Sequence, residues 1–310
     1  MPELPEVQTT VSDLKKKIVG LRIIDVWTDT KKLLKRPSFE LFKKQIKNTK
    51  IEKIDRRGKN ILIYLDSRSK VQDPRILLVH QKMTGHLLYG LWIMKQACLP
   101  ARQGSWVSKI KGPFEEKVNQ YIHLLFYLSN GKMLALSDLR KFAKVVLGPA
   151  EEILDSKDLK DIGLEPLDKS FTLKRFKEAL WGNKNPARRR RGKIKQVLMD
   201  QNIIAGIGNI YADEILWKAK INPLKPVDNL KDSESKKIYD AMKEILKKAV
   251  KLRGTSMSDY RDPEGKKGNY ANVLSVYQRE GAPCYRCGTK IKRIRLGSRS
   301  AHYCPTCQKI

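Results

Sequence analysis

Four cysteines near the C-terminal end limit what this chain can fold into more than any other feature. Cys284-x-x-Cys287 and Cys304-x-x-Cys307 form two knuckles separated by sixteen residues. In a reducing compartment that layout favours a metal over disulfides. Four thiolates suit one closed, tetrahedral zinc site, structural rather than catalytic. Two redox pairs are the competing reading of the same spacing. Lys290, Lys292, Arg293, Arg295 and Arg299 lie between the knuckles, so the metal-pinned hairpin has a cationic tip. Cys98 stands apart and reads as an ordinary thiol.

Charge points the same way. The 310 residues carry 64 Lys+Arg against 33 Asp+Glu, a formal net charge of +31. Such an excess repels itself unless a polyanion shares the surface, and nucleic acid is the usual one. A run of about 18 apolar residues, enough for a membrane-spanning helix, does not occur. The N-terminus carries Glu3 and Glu6 and lacks the apolar stretch of a secretory signal. The expectation is a cytoplasmic monomer that faces nucleic acid.

The opening Met1-Pro2-Glu3-Leu4-Pro5-Glu6 carries possible chemistry. Methionine is commonly removed before a small second residue, which would leave Pro2 as a free secondary amine. An ordinary α-amino group titrates near pH ~8, far below lysine, so much of it is unprotonated at neutral pH. An unprotonated amine can form a Schiff base with a sugar C1′. Glu3 and Glu6 place two carboxylates within reach for proton transfer. Alone, the same residues also fit a flexible terminus with two helix-initiating prolines.

Apolar Val7, Val11, Leu14 and Ile18 predict a helix over 6–18. Short β-rich runs follow at 21–27, 51–55, 60–65, 76–80, 121–128, 133–137 and 145–147, with a hairpin turn at Ser129-Asn130-Gly131-Lys132. Many short strands imply a sandwich or barrel. Residues 89–116 interrupt them as an insertion loop. Composition changes near 150, and helices are expected at 151–161, 172–181, 233–252, and in 192–220 with a break at Ala205-Gly206-Ile207-Gly208. The class is α+β. A β-sandwich domain with an N-terminal helix spans 1–150, a helical domain 151–270 and a zinc-finger hairpin 271–310.

The opening M-P-E-L-P-E-V resembles the start of the formamidopyrimidine-DNA glycosylase (Fpg/Nei) family, and later segments resemble it too. Arg57-Gly58-Lys59 is similar to the family's R-G-K, which implies that Lys59 contacts the phosphate beside the lesion; by charge alone it is a solvated turn lysine. His80-Gln81-Lys82-Met83-Thr84-Gly85 is similar to H-L-x-M-[ST]-G, and Asp138-Leu139-Arg140-Lys141-Phe142-Ala143 to D-x-R-R-F-G. The resemblance implies that Met83, Arg140 and Phe142 fill the gap left by a flipped nucleotide. By residue type alone, Met83 and Phe142 would be core. Lys141 and Ala143 depart from the pattern. The stretch from Lys195 through Glu214 resembles the helix–two-turn–helix, where Gly206 and Gly208 allow close approach to a phosphate and Asn209 and Lys195 add a donor and a charge. Arg299 sits five residues before Cys304, as does the family's phosphate-contacting arginine. Tyr121 and Arg190 are further DNA contacts by resemblance, and 255–269 resembles a segment that closes over a flipped purine.

What this implies is a bifunctional glycosylase and abasic-site lyase acting on oxidised purines in damaged double-stranded DNA, with one structural zinc. Pro2 would attack C1′, Glu3 would move protons, and Lys59 and Arg299 would hold phosphates through β- and δ-elimination. The alternatives are a Nei-like enzyme for oxidised pyrimidines and a non-catalytic DNA-binding protein.

Overall fold

The computed structural model describes every residue except 67–73, 96–104, 183–184, 186–188, 258 and 310, so Cys98 and Arg188 lie outside the described residues. Two compact units emerge. The first comprises Met1–Lys160 with Arg253–Asn269, the second Asp161–Leu252 with Tyr270–Ile310. No helix among the described residues is long and apolar enough to cross a membrane.

The first unit opens with α1 (Leu4–Ile18). The Glu3 backbone N–H donates to Glu6 Oε2 at 2.7 Å, satisfying a donor at the helix start. Leu4, Val7, Val11, Leu14 and Ile18 are all buried, and Lys15–Lys17 sit at the C-terminal end, where the helix dipole favours cations. The strands are β1 (Arg22–Thr28), β2 (Leu34–Arg36), β3 (Thr49–Arg57), β4 (Asn60–Leu65), β5 (Arg75–His80) and β6 (His86–Gly90), then β7 (Trp92–Lys95) and β8 (Ser105–Ser108), then β9 (Ile122–Leu128), β10 (Met133–Ser137) and β11 (Lys144–Pro149). Nine of them hydrogen-bond in the order β2-β11-β5-β4-β3-β1-β9-β10-β6. The two halves join through only two β1–β3 residue pairs, Arg22↔Lys50 and Ile23↔Thr49. Ile54, Ile63, Leu77 and Val145 from one half share a single core with Val26, Leu124, Phe126 and Leu136 from the other. That is the sandwich expected. The turn at 129–132 also forms, with Gly131 at φ 77°.

Several elements differ from the sequence reading, among them β2 and most of β6, which no expected run covers. A short helix, α2 (Phe39–Ile46), follows Ser38 and buries Phe42 and Ile46 in the same core. Residues 89–116 are not an insertion loop throughout. Strand β6 runs to Gly90, and β7 and β8 pair as a hairpin. Trp92, Trp106 and Phe114 from this stretch pack with Leu88, Leu125 and Ala135, so the hairpin covers a second apolar cluster. In β7 the exposed Ile93 and Met94 follow buried Trp92, so apolar residues do not alternate along it. Finally, the helix expected over 151–161 is only α3 (Ala150–Leu154). The Ser156 hydroxyl donates to the Ile153 carbonyl at 2.6 Å, and Lys144 holds Asp158 at 2.6 Å, which turns the chain out of the helix.

The second unit contains α4 (Leu173–Trp181), α5 (Ile194–Met199), α6 (Asn209–Ala219) and α7 (Asp232–Lys251), then the hairpin β12 (Lys292–Leu296) and β13 (Arg299–Tyr303). The apolar row of α7, Ile238, Met242, Ile245 and Ala249, is buried as its spacing requires. Glu214 of α6 is fully buried and accepts the backbone N–H groups of Ser275, Val276 and Tyr277 at 2.9–3.0 Å. Asp213 accepts from the backbone N–H of His302 at 3.0 Å. These two acids fasten the cysteine hairpin to α6.

Candidate active site and nucleic-acid interface

In the first unit Pro2, Glu3, Glu6 and Lys59 are all buried around the chain's start. Lys59 gets there through a two-residue turn. Arg57 pairs with Asn60 across the hairpin, and Gly58 takes φ 55°, which glycine adopts without strain. The terminal amine, on Met1, has its pKa pushed below the ordinary value by burial. Glu3, Glu6 and Asp259 pull it back up, and Lys59 pushes it down. Those four charges therefore act on an amine one residue before Pro2. Glu6 uses one oxygen for the Glu3 N–H at 2.7 Å and the other for the Thr255 N–H at 2.6 Å. It is a positioning group that ties the start of α1 to the 253–269 segment. The Tyr260 hydroxyl adds a bond to the Glu6 carbonyl at 3.1 Å.

A second cluster joins two loops of the same unit. Met83 and Phe142 are 41% and 51% exposed, so neither is core. The Arg140 guanidinium lies 4.6 Å from the centre of the Phe142 ring, and its Nη1 is 3.2 Å from Met83 Sδ. Buried Asp138 creates this arrangement. It accepts the Thr84 hydroxyl, the Arg140 N–H at 3.3 Å and the Ala143 N–H at 2.7 Å. The Asp138 N–H in turn donates to the carbonyl of half-buried Tyr121 at 2.8 Å. His80 shapes the other loop, its Nδ1 accepting the Lys82 N–H at 3.0 Å. Burial and the neighbouring Lys82 and Lys59 charges lower the His80 pKa to about 4, which keeps that nitrogen an acceptor. The departure at 143 has a simple account. The left-handed position of the loop is Lys141 at φ 56°, and the Ala143 side chain joins the main core, so an alanine there adds no backbone strain.

In the second unit Gly206 takes φ 82° and Gly208 caps α6. Asn209 begins that helix, and its Oδ1 is buried without a hydrogen-bond partner. It borders a cleft of about 330 Å³ with Tyr277, Gln278, Arg293, Ser300 and His302. Lys195 corrects the sequence reading. Its side chain is fully buried, ion-pairs with Asp213 at 2.7 Å and donates to the Ser300 carbonyl. A lysine so placed presents no charge to a phosphate; it braces α5 and α6 against β13. Arg190 is exposed, while Arg189 stacks on Trp181 at 3.9 Å. Arg299 is exposed and shares a groove of about 490 Å³ with Arg293, Arg295, Ser298 and Glu280.

The four cysteine sulfurs lie within 4.8 Å of one another. Burial and the neighbouring sulfurs push the Cys307 thiol up to about 12. Four crowded sulfurs cannot all ionise unless a cation neutralises them, and four sulfur donors complete a tetrahedral zinc shell. The residues fit a structural zinc ion.

Comparisons with known proteins agree along the chain. Residues 1–145 match the model of the formamidopyrimidine-DNA glycosylase N-terminal domain, and 162–261 that of the formamidopyrimidine-DNA glycosylase H2TH domain. Residues 281–310 match the zinc finger found in FPG and IleRS. The chain belongs to the formamidopyrimidine-DNA glycosylase family. The formamidopyrimidine-DNA glycosylase of Pelotomaculum thermopropionicum is 39% identical over 310 residues, covering all of both chains. Among solved structures, MutM in complex with carbocyclic 8-oxo-G containing DNA superposes with TM-score 0.79 at 33% identity, covering all of both chains. Wild-type Fpg of Lactococcus lactis with an oxidized pyrimidine containing DNA gives the same TM-score, identity and coverage.

The motifs found Lys59, Met83, Arg140 and Phe142, but not the residues that hold them. Asp138 was visible only as the first letter of a motif. Thr255 and Asp259 fall in the 255–269 stretch singled out by resemblance, but their link to the N-terminus, about 250 residues away, lies beyond any local pattern. Asp213 and Glu214 were named only as the end of the helix–two-turn–helix stretch.

Proposed function

We propose that this protein excises oxidised purines from duplex DNA and then cleaves the resulting abasic site through a Schiff base at Pro2. One observation carries the reading: Pro2 is buried, and Glu3, Glu6, Lys59 and Asp259 all act on the amine one residue before it. Removal of Met1 would leave the Pro2 nitrogen in that setting, where burial and Lys59 favour the neutral, nucleophilic form.

The Pro2 lone pair forms a bond to C1′ as the glycosidic bond breaks, and the departing base takes a proton. Glu3 is the group for the proton transfers. The C1′–O4′ bond then opens as O4′ takes a proton, leaving a positive iminium at C1′ that acidifies the C2′ proton; loss of that proton drives β-elimination, which breaks the bond to the 3′ phosphate oxygen. A second elimination breaks the bond on the 5′ side. Lys59 and Arg299 are assigned to the phosphates, which need charge-assisted contacts as they leave. Asn209, Arg190 and the α6 N-terminus are assigned to the backbone, and that binding would weaken with salt. Met83, Arg140 and Phe142 would occupy the gap left by the flipped nucleotide, with Arg140 on the acceptor edge of the opposing base.

A second reading, excision of oxidised pyrimidines, draws on the Lactococcus lactis complex with such DNA. A lesion panel separates them. Single-turnover release of 8-oxoguanine opposite cytosine at a rate at least about tenfold above that of an oxidised pyrimidine supports the purine reading. The reverse order would overturn it.

A further inference from the structure

The segment 253–269 is fastened within the first unit by residues that no motif identifies. Arg261 is 3% exposed, and its Nε and Nη2 both bond Glu116 Oε2, at 2.9 and 2.6 Å. Asn119 is 1% exposed. Its amide donates to the Gly265 carbonyl at 3.2 Å and the Pro113 carbonyl at 2.7 Å, and its Oδ1 meets His86 Nε2 at 2.9 Å. The fit at Gly265 is close. A Cβ there would lie 3.0 Å from Asn119 Nδ2, and the backbone takes φ +79°. The Tyr89 N–H also reaches the Pro263 carbonyl at 2.8 Å. Glu116 and Asn119 both belong to the stretch that follows the β7–β8 hairpin.

We infer that Glu116 and Asn119 are positioning residues that fix Thr255, Asp259 and Tyr260 as a wall beside the N-terminal amine. The contacts run without a break. Glu116 holds Arg261, whose Nη1 donates to the Tyr260 carbonyl at 2.7 Å. The Tyr260 hydroxyl and the Thr255 N–H both bond Glu6, whose carboxylate holds the start of α1. The segment is thus pinned at one end to Glu6 and at the other to the region after the hairpin. Asp259 lies between the pins and acts electrostatically on the terminal amine.

The inference rests on the proposed function and sharpens it. A sugar whose C1′ meets the amine carries its base onto the surfaces around that amine, and the wall of Thr255, Asp259 and Tyr260 is one of them. An abasic sugar has no base to place. Loosening the wall should therefore slow base release far more than cleavage of a preformed abasic site.

The test uses full-length Glu116→Ala and Glu116→Gln proteins in single-turnover assays on two duplexes, one with 8-oxoguanine opposite cytosine and one with an abasic site. Small misplacements near a reacting centre cost about tenfold to a hundredfold. Glu116→Ala should release the base at least about tenfold more slowly, with abasic cleavage changed by no more than about twofold. Glu116→Gln keeps an acceptor oxygen and should fall between it and wild type. Base release at the wild-type rate in Glu116→Ala, or equal loss of both reactions, would overturn the inference. Wild-type protein inactive on both duplexes would instead overturn the functional reading, and this inference with it.

Discussion

Removing the Asp138 carboxylate tests how the exposed Met83–Arg140–Phe142 cluster is held. Asp138 is fully buried and receives three donors: the Thr84 hydroxyl and the N–H groups of Arg140 and Ala143. In Asp138→Ala the Arg140 N–H keeps an alternative acceptor, Thr84 Oγ1 at 3.1 Å. The Ala143 N–H and the Thr84 hydroxyl are left in a buried place with that acceptor gone. Each stranded donor costs about 1–3 kcal/mol. The loss is offset in part because no carboxylate is then desolvated. A net destabilisation of about 3 kcal/mol follows. Asp138→Asn behaves differently. Its oxygen can serve the Ala143 N–H while its amide donates to Thr84 Oγ1, so the cost should be about 1 kcal/mol. Urea unfolding followed by tryptophan fluorescence reads both values. In the alanine variant the cluster also loses its fixed geometry, and base release should slow by about tenfold or more. An alanine variant within about 0.5 kcal/mol of wild type, or an asparagine variant as unstable as the alanine one, would refute the role given to Asp138.

Three further outcomes are expected. The His80 pKa is lowered from 6.5 to about 4, so its contribution to stability is complete above pH 6.5 and is lost as pH falls toward 4. The loss is at most about 3 kcal/mol, and unfolding measured against pH should flatten across that window in His80→Gln. Chelation, or Cys287→Ser, should remove zinc and lower the unfolding temperature, which metal analysis and calorimetry check together. Arg299→Ala should keep its zinc while DNA affinity falls, with the slope of log affinity against log salt reduced by about 1.

How much of this was legible in the sequence depended on the range of the interaction. Local chemistry was readable: the cysteine spacing, the apolar row of α7, and the glycines at 58, 131 and 206 that take positive φ. Lys195 misled because a lysine in a basic chain looks like a surface charge, and only Asp213, eighteen residues on, shows that it is buried. The β7–β8 hairpin was hidden because apolar Ile93 and Met94 are exposed beside buried Trp92, so β7 shows no alternation. The place of Glu6 depends on Thr255. That bond spans 249 residues, and nothing at either end announces the other. Ala143 looked like a departure from the family pattern, yet the strained position of its loop is Lys141.

The central claim is that the amine of a mature Pro2 forms a Schiff base with the damaged sugar. Borohydride trapping on duplex DNA containing 8-oxoguanine opposite cytosine, with mass analysis of the N-terminus and a Pro2→Gly control, tests it most directly. The account predicts a covalent protein–DNA adduct mapped to Pro2 and absent from the control. Correctly processed protein that traps neither this duplex nor an abasic one would contradict it and leave a DNA-binding protein without lyase chemistry.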